Sequence, residues 1–191
     1  MGNTIPMRSP CATRSIALPC ALQRFHYRNG VEMDSQYLRT VLAQWASGVV
    51  VITTPAAGGG RHGMTASSFT SVALDPPLVS ICVVSQGTTC RMIHDSGVFA
   101  VNMLGSDHQE IGRRFSAPAS GDRFATGRWQ TAATGAAVLA DAVAWVDCVV
   151  AACYPAGDHT IILGLVQDAA TPRPAAPLIY HDRCYHEGIA R

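Results

Sequence analysis

The chain has 191 residues, 48% apolar and only 14% charged, so it is long enough for one domain and too apolar for general disorder. All 14 basic residues are Arg, which excludes mechanisms that need an amine, from Schiff bases to phosphate-loop lysines. Four Arg and no acid fall in residues 1–31, leaving ten Arg against 13 acids in 32–191, a net −3 that argues against nucleic-acid binding.

Residues 1–32 alternate short apolar pieces with Arg, Ser and Pro and show no sustained period. The Arg-rich, acid-free composition superficially matches an organelle transit peptide, but the simpler reading is a disordered leader or an upstream translation start. The folded unit is expected over 33–191. Asp34 precedes Tyr37, Leu38, Val41, Leu42 and Trp45, apolar residues at helical spacing behind an N-cap, and Gly48 ends that helix. Val49 to Thr54 is a β-branched run that predicts a buried strand. After the Gly58-Gly59-Gly60 turn, Met64 to Leu74 predicts a second strand stopped by Asp75-Pro76-Pro77, and Leu78 to Val84 a third.

Thr88 or Thr89 is placed to cap a short helix ending near Gly97, and Phe99 to Leu104 reads as a fourth strand. Ser106-Asp107-His108-Gln109 has the capping-box pattern and opens a helix towards Phe115. A polar loop over 116–135 is followed by a long apolar stretch from Val138 to Tyr154, a turn at 155–158, a strand from His159 to Gln167 and a last strand around Leu178–Tyr185. Strands dominate and turn signals recur at sandwich-or-barrel spacing.

No apolar run approaches the ~20 residues that cross a bilayer. Seven cysteines without a C-x-x-C read as reduced thiols of a cytoplasmic protein, with Cys82, Cys148 and Cys153 as core fillers. The histidines outside position 159 lack metal-ligand spacing, so no metal site is expected.

Gly58-Gly59-Gly60-Arg61-His62-Gly63 formally matches a dinucleotide fingerprint, but that motif requires a helix next. The residues from Met64 onward have strand chemistry instead, so the glycines are expected to turn a β-hairpin. The run Thr65-Ala66-Ser67-Ser68 admits two readings. Its small residues would let a flat ligand reach the backbone, with hydroxyls as donors, or it is an ordinary solvated sheet face.

Four segments in order carry a specific resemblance: Gly63 to Val72, Asp75-Pro76-Pro77-Leu78-Val79, Phe99 to Leu104, and Gly157-Asp158-His159-Thr160. Together, from about Asp34 to Tyr185, they resemble the flavin reductase-like family, small NAD(P)H:flavin oxidoreductases that supply reduced flavin to two-component monooxygenases. The resemblance implies a mainly β fold: an FMN-binding split β-barrel with a few short helices, homodimeric, with the flavin near the subunit interface. It implies FMN, or FAD, with NADH or NADPH, hydride passing from nicotinamide C4 to flavin N5, and a transient oxygenase partner. A non-catalytic flavin- or haem-binding module on the same barrel is the alternative.

By position, the resemblance assigns Gly63, Met64, Thr65, Ser67 and Ser68 to the isoalloxazine and ribityl chain. It puts Cys82, Val83 and Val84 at the border of the ring, and Thr88 and Thr89 at the phosphate, where free N–H groups of a helix start favour an anion. Arg114 would add a guanidinium for the phosphate and Phe115 an aromatic edge for the flavin, although Arg113-Arg114 also reads as a solvated pair. His159 is the nicotinamide-side residue, with Asp158 placed either to orient its imidazole or simply to form the turn. The sequence departs from the family pattern at Ser85-Gln86-Gly87, where several relatives carry a basic residue, and at Cys90, where some have a bulkier one.

Overall fold

The computed structural model describes residues 33–117 and 122–188, and the expected leader lies outside them. Helix α1 (Ser35–Leu42) starts at Asp34, whose carboxylate accepts from the Gln36 amide at 2.9 Å. Strands β1 (Ser47–Gly48) and β2 (Val50–Pro55) come next. The triglycine stretch is a turn, with Gly58 and Gly59 at positive φ and the Ala56 amide bonded to the Gly60 carbonyl. It returns the chain as β3 (Arg61–Ala66), antiparallel to β2 with Val50 opposite Ala66 and Pro55 opposite Arg61. These glycines lead into a strand, so the hairpin reading holds.

The strand expected from Met64 to Leu74 is two. The chain leaves the β2 side at Ala66, and Ser67 to Phe69 carry it across to β4 (Thr70–Leu74), which pairs with β5 (Pro77–Val84). Next come α2 (Thr88–Ser96), β6 (Val98–Met103), α3 (Gln109–Ser116), β7 (Trp129–Thr131), β8 (Ala137–Leu139), β9 (Ala144–Ala156) and β10 (His159–Ala170). The last expected strand is a hairpin, β11 (Leu178–His181) and β12 (Cys184–Glu187), because Asp182 and Arg183 adopt positive φ and turn the chain.

The main sheet has seven antiparallel strands in the order β3-β2-β6-β9-β10-β5-β4, and β1, β11 and β12 form a second. Successive residues from Val49 to Ile52, at the start of β2, feed two cores. Val50 and Ile52 join Ile81, Val83, Phe99, Val101, Cys148 and Ile162 in an inner core on one face of the main sheet. Val49 and Val51 join Phe115, Phe124, Leu139, Trp145 and Leu178 beneath α3. Gly164 permits the first core, since a Cβ there would lie 2.5 Å from the Phe99 ring. Cys148 is the core filler expected, its thiol pushed up to about 12, mainly by burial. Cys82 is not: alternation along β5 turns Val79, Ile81 and Val83 inward and leaves Cys82 half-buried on the other face.

Two caps shift by one residue. Gly87, not Thr88 or Thr89, is the N-cap of α2. The box expected at Ser106 is built by Gly105, whose amide donates to His108 Nδ1 at 3.3 Å. The expected polar loop also contains β7, paired with β8. Buried Asn102 ties β8 down, donating to the Val51 carbonyl and accepting from the Leu139 amide. Among the described residues no helix is long and apolar enough to cross a membrane, and no metal-ligating cluster occurs.

Candidate active site

Strand β3 is an edge of the main sheet, and its alternation sets the site. His62, Met64 and Ala66 face the side of the inner core, while Gly63 and Thr65 face α3. A Cβ at Gly63 would lie 2.7 Å from Phe115 Cε1 and 3.0 Å from the Ile52 carbonyl oxygen, so only glycine lets β3 lie this close to α3. The Thr65 hydroxyl donates to the Gly112 carbonyl at 2.6 Å, a second tie to that helix. Arg123 adds a third, donating to the Gly63 carbonyl at 2.8 Å and to that of Ala117 at 2.6 Å. The β3 backbone is therefore held flat and fixed.

Past β3, the Ser68 hydroxyl donates to the Cys82 carbonyl at 2.9 Å and accepts from the Cys82 amide at 3.1 Å. One side chain thereby joins the segment leaving one sheet edge to a strand at the far side of the sheet. Ser67 beside it is exposed. Val84, 48% exposed, stands opposite His159 in the β5–β10 register. The turn before His159 is tied to the loop after β5 by the Ser85 amide on the Asp158 carbonyl and by Ser85 Oγ to Thr160 Oγ1 at 2.9 Å. Asp158 Oδ1 lies 2.6 Å from His159 Nδ1, which holds that nitrogen and leaves Nε2 outward. The contact keeps the Asp158 carboxyl below its usual range, so the carboxylate that grips the ring persists into acid.

At the other end of β3 sits the start of α2. Gly87 brings no capping side chain and the first turn has no acid, so the amides at Thr88 and Thr89 are open to an anion. Thr88 is exposed; Thr89 is buried, its hydroxyl 2.9 Å from His62 Nε2. Burial first, then the charges of Arg123 and Arg91, hold the His62 pKa below its usual value. Two guanidiniums and an uncapped helix start thus make this corner electropositive. The residues fit a flavin phosphate at α2 and a planar ring along β3.

A family model described as the flavin reductase like domain matches residues 42–188. The chain belongs to the flavin reductase-like family. The actinorhodin polyketide dimerase of Streptomyces coelicolor is 42% identical over 78% of this chain and 84% of its own length. The NADH flavin reductase of Kitasatospora aureofaciens is 36% identical, over 80% of this chain and 81% of its own. Among solved structures, the flavin reductase component of a bacterial two-component tryptophan halogenase superposes with TM-score 0.76 at 33% identity, covering 83% of this chain and all of that one. A Streptomyces globisporus NADH:FAD oxidoreductase, solved with NAD and FAD fragments, has TM-score 0.74 at 34% identity, covering 82% and 96%.

Four of the residues assigned to this flavin reductase-family site from sequence are engaged by other contacts within the chain. Phe115 is 1% exposed, 5.0 Å from Phe124 and 5.4 Å from Trp129 between ring centroids, so it supports Gly63 from beneath and offers no free edge. Arg114 pairs with Glu110 one helical turn back at 3.3 Å, while Arg113 faces a cavity beside Thr65. The Ser68 hydroxyl is engaged by Cys82, and the Val83 side chain points into the core. Gly63, Met64, Thr65, Ser67, Cys82, Val84, Thr88, Thr89 and His159 line or back the two sheet edges. His62 and Arg123 were missed. Arg123 lies sixty positions from its partner Gly63, and no local spacing signals that pairing.

Proposed function

We infer that the protein reduces free flavin, FMN or FAD, with NAD(P)H and supplies the reduced flavin to a partner monooxygenase. The observation that carries this reading is the pairing of a rigid edge strand with an electropositive, uncapped helix start at its end. When both ligands are bound, nicotinamide C4 gives a hydride to flavin N5, chemistry that belongs to the cofactors.

The chain supplies orientation and a partly dry surface. The backbone of Gly63, Met64 and Thr65 gives the flat support, and Ser67 offers an exposed hydroxyl to ring oxygens. Cys82 and Val84 border the ring, and Thr88 with the first amides of α2 holds the phosphate. His159, gripped by Asp158, presents Nε2 to the nicotinamide side. No side chain is needed as general acid, since water reaches the rim at Ser67, Thr88 and Val84. That same openness suits a ligand that must leave after each turnover.

The working unit on this reading is a homodimeric split barrel of the cytoplasm. Helix α1 and the turn after it support the dimer: Tyr37 and Leu42 are each 62% exposed and Trp45, just beyond the helix, 77%, an apolar face left bare among the described residues. Light scattering after gel filtration tests the dimer. Steady-state oxidation of NADH and NADPH with FMN, FAD and riboflavin in turn tests the activity, which should appear with at least one flavin and be absent without flavin.

A further inference from the structure

Strand β3 begins beside α2, and one side-chain contact joins them: His62 Nε2 lies 2.9 Å from Thr89 Oγ1. Thr89 is 7% exposed and sits in the first turn of α2, where Gly87 brings no capping side chain. The charged groups around the imidazole are cations. Arg123, in the loop after α3, donates to the Gly63 carbonyl, and Arg91 stands on α2 itself. Arg61, next to His62 on β3, lies over the Phe124 ring, 4.4 Å from its centroid. On β2 the register partner of His62 is uncharged Thr54, whose hydroxyl is engaged by Ser96 and the Val98 carbonyl. None of the three arginines belongs to an ion pair among the described residues. Arg123 also keeps its Nε–H enclosed and without a hydrogen-bond partner.

Burial first, then the charges of Arg123 and Arg91, favour the neutral imidazole. An anion on the α2 amides reverses the second effect, because it offsets the arginine charges and draws a proton to the ring. That proton changes the hydrogen bond. A neutral imidazole accepts at Nε2 or donates from it according to its tautomer, whereas the protonated ring only donates. Thr89 Oγ1 then accepts from His62, and its own hydrogen is released towards the helix start.

We propose that His62 is a proton-linked positioning residue for the flavin phosphate. When the dianion settles on the first amides of α2, the imidazole takes one proton from solvent and donates from Nε2 to Thr89 Oγ1. The Thr89 hydroxyl hydrogen turns to a phosphate oxygen. The proposal rests on the α2 corner being the phosphate site, and it makes the preference for FMN over uncharged riboflavin strongest at lower pH.

Titration of the full chain with FMN and with riboflavin, read by flavin fluorescence between about pH 6.5 and 8.5, tests this without turnover. The range lies above the second phosphate pKa of about 6, so FMN stays mainly dianionic. FMN should bind about threefold or more tighter at the lower pH, while riboflavin binding stays flat. Calorimetry near neutral pH in two buffers of different ionisation enthalpy should show proton uptake with FMN only. His62→Gln should lose both the slope and the uptake. Thr89→Ser should keep them, and Thr89→Val should lose most of the FMN preference; melting temperatures check that each variant folds. A flat FMN profile, an equal slope with riboflavin, or a slope that persists in His62→Gln overturns the proposal and leaves flavin reduction standing. A natural protein that binds neither flavin overturns both.

Discussion

Ser68 and Cys82 meet in a two-way exchange, the hydroxyl giving a hydrogen bond to the carbonyl at 2.9 Å and taking one from the amide at 3.1 Å. No β4 residue pairs with Cys82, whose register partner is Ile161 of β10. Ser68→Ala therefore leaves two partly buried backbone groups without a partner. We expect a loss of about 1–3 kcal/mol, read from urea denaturation midpoints, together with a higher flavin KM. An unchanged midpoint would mean that the contact does not hold the two sheet edges together.

The approach of β3 to α3 predicts a steric phenotype. Gly63→Ala pushes a Cβ into Phe115 and the Ile52 carbonyl, and overpacking of this kind costs about 1–3 kcal/mol. Adding Phe115→Leu should recover part of the loss, so the double variant should be more stable than the sum of the two single effects allows. Strictly additive losses in chemical denaturation would contradict the contact.

For His159→Ala we expect KM for NADH to rise about tenfold with kcat changed much less. Asp158→Asn should act in the same direction more weakly, because it loosens the imidazole without removing it. The Asp158 pKa is lowered chiefly by its hydrogen bond to His159. Its carboxylate therefore stays ionised at neutral pH, and the Asp158 contribution should not titrate there. An unchanged KM in His159→Ala would remove the residue from the nicotinamide side.

His62 sets an acid-stability prediction. Burial, then Arg123, then Arg91 lower its pKa in the folded chain below 6.5. As pH falls below 6.5, the unfolded chain takes up this proton first. The stability present above that pH is then lost as pH falls through the folded-state value. His62→Gln should flatten that decline in denaturation midpoints measured across the acidic range; an identical slope in both proteins would contradict it.

Most of the fold could be read from local patterns, because strand periodicity, β-branching and turn glycines act within a few residues. The triglycine hairpin and the Asp34 cap of α1 are of this kind, although α1 stops at Leu42, short of Trp45, and Gly48 lies in β1 rather than at the end of the helix, because β1 pairs with β11. What escaped were features set by distant partners. The break at Ser67–Phe69 shows no turn signal, since it carries the chain across to β4, which pairs with the distant β5. Phe115 could be recognised as an aromatic near β3, but its burial depends on Phe124 and Trp129, inside the stretch expected as a polar loop. Choosing between Arg113 and Arg114 needed the phase of α3, which a doublet does not reveal. The β11–β12 hairpin depends on a turn that sequence periodicity merged into one strand.

Rapid mixing of the purified protein with FMN and NADH under anaerobic conditions addresses the central claim most directly. Flavin absorbance should bleach catalytically, with many equivalents of flavin reduced per chain, and the rate should fall in His159→Ala at subsaturating NADH. Flavin that binds yet stays oxidised with both nicotinamides, for FMN and FAD alike, would contradict the account and leave a binding module in its place.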